Sequence, residues 1–254
     1  MSSLKEKINA LNVKQGTLAV VFMGQAGFIL KDSQNKLYSI DVYFSDCCER
    51  EFGFKRLIPK LLDPKELVFD YILVTHGHYD HFDLDAMPTL MDNDKTALYG
   101  PKDAIEECQK LSINERTFEI AENDSFKVGN LNVKAVYCDH GELAPYAVGY
   151  VIEHEGKKIY LVGDSAYQPE KVAYLKNENV DLMFVPINGA FGNLNEEEAV
   201  KYVQLISPKI AVPCHFGNFK EHGGDVNKFN SLFSKETQNT KNLNLKIGDI
   251  FVLE

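Results

Sequence analysis

Three histidines and one aspartate lie within six residues of this chain, as His76, His78, Asp80 and His81, although the whole sequence contains only seven histidines. The apolar, β-branched run at 70–75 predicts a buried strand, so the cluster begins where that strand ends. Imidazole binds borderline metals such as zinc, manganese and iron, and a carboxylate offsets their charge. The H-x-H-x-D-H spacing therefore favours a metal centre over the alternative, a solvated loop rich in histidine.

Three later strands are also predicted to end at a potential metal ligand. The apolar runs at 131–137, 157–162 and 209–213 lead to His140, Asp164 and His215, respectively. Considered alone, His140 could be a turn residue, and Asp164 could cap the helix that is predicted to follow it. Because different segments of a rigid scaffold commonly supply one site, we expect these strand ends to meet the 76–81 loop.

The motif at 76–81 resembles the signature of the metallo-β-lactamase superfamily. The resemblance implies an α/β fold of the metallo-β-lactamase type, an αβ/βα four-layer sandwich of two mixed sheets flanked by helices, and a single hydrolase domain over residues 1–254. It also implies two divalent transition-metal ions, zinc or manganese, with a single ion or iron as alternatives. In the family arrangement one ion is held by His76, His78 and His140, the other by Asp80, His81 and His215, and Asp164 lies between them.

The same resemblance implies the chemistry of the site. A metal ion lowers the pKa of a bound water toward about 7, which provides hydroxide as the nucleophile at neutral pH. Asp80 is then the expected catalytic residue, both as a ligand and as a proton acceptor near that water. Asp41 matches a family aspartate that supports the metal loop from behind, and a turn residue at a strand end is the alternative.

Further stretches resemble the ascorbate-6-phosphate lactonase branch of the superfamily and its neighbouring metal-dependent hydrolases. They lie at 40–45, Tyr79, 163–165, 186–189 and 213–216. This likeness implies hydrolysis of a small anionic lactone or ester. The expected substrate residues are Asn188, before a capped helix, and Lys220 and His222 in the loop after His215. The alternative for that loop is a solvated turn.

The net negative charge of the chain disfavours functions that require binding to a polyanion. The chain has 27 Lys and Arg against 37 Asp and Glu, a net charge of −10, so its field repels a polyanion. We therefore expect a small-molecule substrate and no nucleic-acid partner. A phosphodiesterase or nuclease on the same fold is the alternative. A non-catalytic metal-binding protein is a second alternative, which a broken ligand set would favour.

Hydropathy and cysteine content predict the cellular compartment of the protein. No apolar run approaches the roughly 18 residues of a membrane span, and the N terminus does not resemble a signal peptide, so we expect no membrane partner. Five cysteines, an odd number with an adjacent pair at 47–48, do not form a disulfide pattern. These features predict a cytoplasmic location, and a homo-oligomer is compatible with the sequence.

The alternation of strand and helix patterns indicates α/β architecture. Helices are predicted at 2–11, 56–62, 83–91, 101–111, 169–175, 196–206 and 225–233. Residues 43–69 would either cover the site or pack on the edge of the fold. We expect a break between two αβ halves near 141–146, and we expect His154, on a hairpin, to lie at the surface.

Overall fold

Two seven-stranded mixed sheets form the centre of the computed structural model, which describes residues 2–237 and 239–254. The first sheet consists, in spatial order, of β14 (Ile250–Leu253), β1 (Leu18–Gly24), β2 (Gly27–Lys31), β3 (Leu37–Ile40), β4 (Tyr71–Leu73), β5 (Ala97–Gly100) and β6 (Thr117–Glu119). The second consists of β13 (Lys241–Asn242), β12 (Ile210–Cys214), β11 (Leu182–Pro186), β10 (Lys157–Leu161), β9 (Val148–His154), β8 (Leu131–Tyr137) and β7 (Ser125–Val128).

The two sheets share one pairing pattern. The four strands β14, β1, β2 and β3 pair antiparallel, and β4, β5 and β6 then continue in parallel. In the second sheet, β7 to β10 are antiparallel, and β11 to β13 continue in parallel. The chain passes between the sheets after β6, at 120–124. The break predicted near 141–146 is therefore wrong, because β8 already belongs to the second sheet and forms a hairpin with β7.

Helices cover the outer face of each sheet. The helices are α1 (Leu4–Ala10), α2 (Cys47–Phe52), α3 (Met87–Met91), α4 (Lys102–Lys110), α5 (Pro169–Val172), α6 (Glu196–Ile206) and α7 (Val226–Glu236). Apolar residues of α1, α3 and α4 pack on the first sheet, and those of α5, α6 and α7 pack on the second. This arrangement confirms the predicted four-layer α/β sandwich.

The core lies between the sheets and under the helices. Every residue of β1 is buried, but alternate side chains lie on opposite faces of the strand and pack in different layers of the core. Val20 and Phe22 pack against the second sheet, while Val21 and Met23 pack against the helices. Because both faces of the strand are covered, its apolar run is continuous. No helix in the described part of the chain has both the length and the apolar character needed to cross a bilayer.

The segment after β3 differs most from its prediction. The helix predicted at 56–62 is wrong, and the helix of this region is α2. Pro59 explains the difference, because proline lacks an N–H group and disfavours a helical conformation in the residue before it. Arg56 instead forms a β-bridge with Phe219, and its guanidinium donates to the carbonyls of Tyr43 and Ser45. The segment is thereby attached to the loop that follows β12.

Other boundaries shift without changing the architecture. The capping box predicted from Asn195 and Glu198 begins α6 as expected. The helix predicted at 83–91 is confined to α3, and the one at 169–175 becomes α5 followed by a 3₁₀ turn at Ala173–Glu178. His154 is buried rather than at the surface, since its Nδ1 lies 3.3 Å from the carbonyl of Asn130, which follows β7.

Candidate metal centre

The carboxyl ends of four strands position the predicted ligands. The loop after β4 carries residues 76–81, and the residues after β8, β10 and β12 include His140, Asp164 and His215. Gly77 allows the first loop to pass close to α4, because an added Cβ would lie 3.1 Å from the Asp103 backbone. The Asp103 carboxylate accepts the Gly77 amide hydrogen at 2.9 Å. The structure thus brings all seven predicted ligands into one cluster.

Three histidines form one end of this cluster. The side-chain donor atoms of His76, His78 and His140 lie within 4.8 Å of one another. Nδ1 of His78 is 3.0 Å from Nε2 of His76 and 3.3 Å from Nε2 of His140. This is the set that the superfamily resemblance assigns to one metal ion.

The other predicted set is equally close together. Nε2 of His81 lies 3.5 Å from Oδ2 of Asp80 and 3.2 Å from Nε2 of His215, and the last two atoms are 3.4 Å apart. Asp164 lies between the two sets. Its Oδ1 is 3.4 Å from His81, and its Oδ2 is 3.1 Å from His215 and 3.8 Å from His140.

The three predicted substrate residues are placed differently from one another. His222 is 5% exposed, and its Nδ1 lies 4.0 Å from Oδ2 of Asp80, so it belongs to the cluster. The solvated turn considered for this loop does not describe it. Lys220 is exposed, and Asn188 is buried with its amide 3.4 Å from the carbonyl of Ala190. Neither of these two residues lines the cavity above the cluster.

Several supporting residues hold the ligands in place. Asp41 accepts hydrogen bonds from the amide of Thr75 at 2.8 Å and from its hydroxyl at 2.6 Å, and lies 2.9 Å from Nδ1 of His81. This is the supporting position that the resemblance implies. The Asn193 amide donates to Oδ2 of Asp164 at 2.7 Å. Such partners fix the orientation of metal ligands.

Sequence reasoning missed Gln25 and Asn193. The Gln25 amide nitrogen lies 2.8 Å from Oδ2 of Asp80 and 2.7 Å from Nδ1 of His222. Its backbone carbonyl accepts the amide hydrogen of His215 at 2.7 Å. The only signal for Gln25 is its position, as a polar residue in the turn between two buried strands. Asn193 gives no signal of its own, because it stands in a polar stretch before a helix cap.

Burial and charge divide the histidines into two groups. Burial lowers the pKa of His140 and of His222 to about 4, and it lowers the pKa of His76 well below its ordinary value. Burial also opposes protonation of His215, but the carboxylates of Asp164 and Asp80 outweigh it and raise the pKa to about 9. The pKa of His81 rises for the same reason.

The donor set fits divalent metal ions. Burial by itself would raise the pKa values of Asp80 and Asp164, yet the neighbouring His81 and His215 hold both well below the ordinary value. The cluster therefore contains two buried carboxylates that require positive charge beside them. Oδ1 of Asp164 is buried without a hydrogen-bond partner. Deprotonated carboxylates and neutral imidazoles are the forms that bind zinc, manganese or iron, so a bound ion would replace the protons that the carboxylates favour on His81 and His215.

A cavity of about 450 Å³ opens above the cluster. Its floor includes His78, Asp80, Asp164, His215 and His222, and its walls are formed mainly by Phe52, Phe54, Tyr79, Leu143 and Phe191. Segment 43–69 thus contributes a wall through α2, which carries Phe52, and through Phe54 after it. Phe52 is 56% exposed and Leu143 is 57% exposed, so the entrance is apolar as well.

Comparisons with known proteins agree with this geometry. Residues 46–216 match the family model described as the beta-lactamase superfamily domain. A UPF0173 protein of Pyrococcus furiosus is 30% identical over 207 residues, which cover 80% of this chain and 86% of the relative. A UPF0173 metal-dependent hydrolase of Polynucleobacter asymbioticus is 27% identical over 236 residues, covering 85% and 80% of the two chains.

A solved structure shares the fold. The metallo-beta-lactamase fold protein YhfI from Bacillus subtilis superposes with a TM-score of 0.71 at 16% identity, over 93% of this chain and 99% of that one. The family model, the relatives and the paired sheets agree with one another. The chain therefore belongs to the beta-lactamase superfamily and, with these relatives, to its UPF0173 metal-dependent hydrolases.

Proposed function

We propose that this metal-dependent hydrolase cleaves a small lactone or ester with an apolar substituent. One observation carries the proposal: the cluster of imidazoles and carboxylates forms the floor of a cavity whose walls are aromatic and aliphatic. Small-molecule sites are commonly apolar clefts with a few convergent polar groups, and this cavity matches that description.

Two divalent ions, zinc or manganese, would be held at this floor. His76, His78 and His140 would hold one, Asp80, His81 and His215 the other, and Asp164 would lie between them. When bound, such ions lower the pKa of water toward about 7 and polarise the bond under attack. A single ion or iron remains the alternative for this centre.

Asp80 is the residue to which we assign proton transfer. It lies at the cavity floor, and its carboxylate is ionised because His81 and His215 are adjacent. An ionised carboxylate can orient the attacking water by accepting a hydrogen bond, take the proton from that water as it attacks, and pass the same proton to the leaving oxygen. Gln25 holds Oδ2 of Asp80 through a 2.8 Å hydrogen bond, which limits the rotation of the carboxylate.

The cavity wall refines the predicted substrate. Its described lining residues include no Lys or Arg, and Glu107 adds a carboxylate. No cationic side chain of the wall therefore receives an anionic group, and such a group could bind only at the metal centre. The rest of the substrate faces aromatic carbon atoms, and for this reason we propose an apolar substituent instead of a second anionic group.

Phosphodiester hydrolysis is the second candidate, because the same ions could act on a phosphoryl group. The apolar wall and the net charge of −10 give a nucleic-acid chain no cationic track. The ascorbate-6-phosphate lactonase branch, the cytoplasmic location and the homo-oligomer stay predictions, and so do the substrate contacts of Asn188 and Lys220.

The test is a substrate panel assayed with one metal-loaded sample. It compares lactones and esters of increasing acyl length with small phosphodiesters and oligonucleotides. We expect kcat/KM to rise by up to about fourfold for each methylene buried, since one CH₂ contributes about 0.8 kcal/mol. Oligonucleotides should give no turnover. A preference for phosphodiesters, or no hydrolysis of any lactone or ester, would refute the proposal.

A further inference from the structure

His222 lies in a loop, yet it is enclosed like a core residue. It ends the 3₁₀ turn at Lys220–His222 and is 5% exposed. The rings of Phe54, Phe191 and Phe219 surround it, with centroids 5.7, 5.4 and 5.0 Å from its own. On the side away from these rings, Nδ1 of the imidazole faces the cluster, 4.0 Å from Oδ2 of Asp80.

In that direction His222 meets two predicted metal ligands. Its ring lies parallel to that of His215, with an interplanar angle of 4° and a centroid distance of 5.0 Å. Donor atoms of Asp80, His215 and His222 all lie within 4.8 Å of one another. Three side chains from two loops, Asp80 after β4 and the two histidines after β12, therefore present ligand atoms to one small volume.

The Gln25 amide nitrogen marks the point on which they converge. It lies 2.8 Å from Oδ2 of Asp80, 3.2 Å from Nε2 of His215 and 2.7 Å from Nδ1 of His222. A group with partial positive charge thus contacts all three ligand atoms at once. Rotation of the amide would give up the hydrogen bond to Asp80 that forms without an ion, and would exchange this nitrogen for Oε1, which is buried without a hydrogen-bond partner. The same position could then present an oxygen to a cation.

We propose that His222 is a direct metal ligand, added to the Asp80, His81 and His215 set of the second ion. This inference rests on the metal centre of the proposed function and assigns to it a donor that the superfamily resemblance does not include. With Asp164, the second ion would have five protein donors. Structural zinc sites are tetrahedral, so a set of this size favours an ion that accepts five or six ligands.

His222→Phe is the variant that tests the assignment, because phenylalanine suits the aromatic surroundings and removes the donor nitrogen. His222→Ala is a second variant, in case the larger ring disturbs folding. The matched control is His154→Ala, since His154 is also a buried histidine, 3% exposed, but lies outside the cluster. Far-UV circular dichroism verifies the fold of each protein.

The readout is metal binding, measured on metal-free protein by titration calorimetry with Zn²⁺ and by the visible spectrum with Co²⁺. We expect His222→Phe to bind the first equivalent with the affinity of the wild type and the second at least tenfold more weakly. Substitutions around metal sites commonly lower metal affinity by about 10–100-fold. The Co²⁺ spectrum of the second equivalent should intensify, because fewer ligands give stronger absorption. His154→Ala should match the wild type in both measurements.

Two outcomes would overturn the inference, and they can be told apart. If folded His222→Phe binds the second equivalent as tightly as the wild type, with the same Co²⁺ spectrum, His222 is not a ligand and the proposed function stands. If the wild type itself binds fewer than two equivalents, the two-ion centre of the proposed function fails together with this assignment.

Discussion

The carboxylate of Asp41 lies 2.9 Å from Nδ1 of His81, although 40 positions separate the two residues in the chain. The same carboxylate accepts two hydrogen bonds from Thr75. It therefore ties the end of β4 to the ligand loop and fixes which nitrogen of His81 is available to the cluster. Asp41 adopts a positive φ of 47°, a strained conformation that is frequent at functional sites.

Asp41→Asn should weaken metal binding without unfolding the protein. The amide keeps the shape of the carboxylate but removes the charge that orients His81, and losses of this kind cost about 10–100-fold in metal affinity. Competition with a chromogenic chelator would measure the affinity. Asp94→Asn, at an exposed aspartate, is the control. Equal affinity in Asp41→Asn and the wild type would show that Asp41 does not support the ligand.

Asp80→Asn should lower turnover more than it lowers metal content. The substitution keeps the size of the side chain but removes its basicity, and proton-transfer groups contribute about 10²–10⁴-fold to rates. We expect kcat to fall by about two powers of ten or more on the best ester of the panel. Elemental analysis of the same sample corrects for metal loss. If Asp80→Asn with a full metal content turned over at a near-normal rate, Asp80 would not be the proton-transfer residue.

Phe191→Ala should raise KM for substrates with an apolar substituent. The ring is 47% exposed at the cavity wall, and losing about 1 kcal/mol of apolar contact corresponds to about a fivefold change. Phe118→Ala is a matched control, since Phe118 is 46% exposed and lies outside the wall. Steady-state kinetics should show no effect in the control. If KM rose equally for polar and apolar substrates, the cavity wall would not be what selects the apolar substituent.

Removal of the metal should destabilise the folded protein. Ligands that bind only the native state add about 2.7 kcal/mol at a concentration 100 times Kd. For a chain of this size, that free energy corresponds to about 5–10 °C in Tm for each ion. Calorimetry before and after treatment with a chelator would measure the shift, and readdition of the metal should restore Tm. An unchanged Tm would mean that the cluster holds no tightly bound ion.

Much of this site could be predicted because its ligands follow buried strands. The apolar runs before His76, His140 and His215 indicate where strands end. In the second sheet β8, β10 and β12 run in the same direction, so their carboxyl ends lie at one edge. The α/β sandwich follows from the same alternation of apolar strands with helical segments. Patterns with a clear period thus predicted both the layers and the position of the cluster.

The rest depends on contacts between distant segments, which a local pattern does not contain. Gln25 stands in the short turn between β1 and β2, and only the packing of the fold brings it to Asp80 in the loop after β4 and to His215 after β12. The burial of His222 depends on Phe54, which the segment after α2 supplies. His154 is buried because the turn after β7 covers it. The helix predicted at 56–62 failed for a local reason, the proline at position 59.

The most direct test of this account is the number of metal ions that the wild-type protein binds. Protein purified without chelator, and then reconstituted with zinc or manganese, would be examined by elemental analysis and by native mass spectrometry. We expect two transition-metal ions per chain, since two sets of ligands adjoin Asp164. A firm limit of one ion per chain under saturating metal would contradict the two-ion centre.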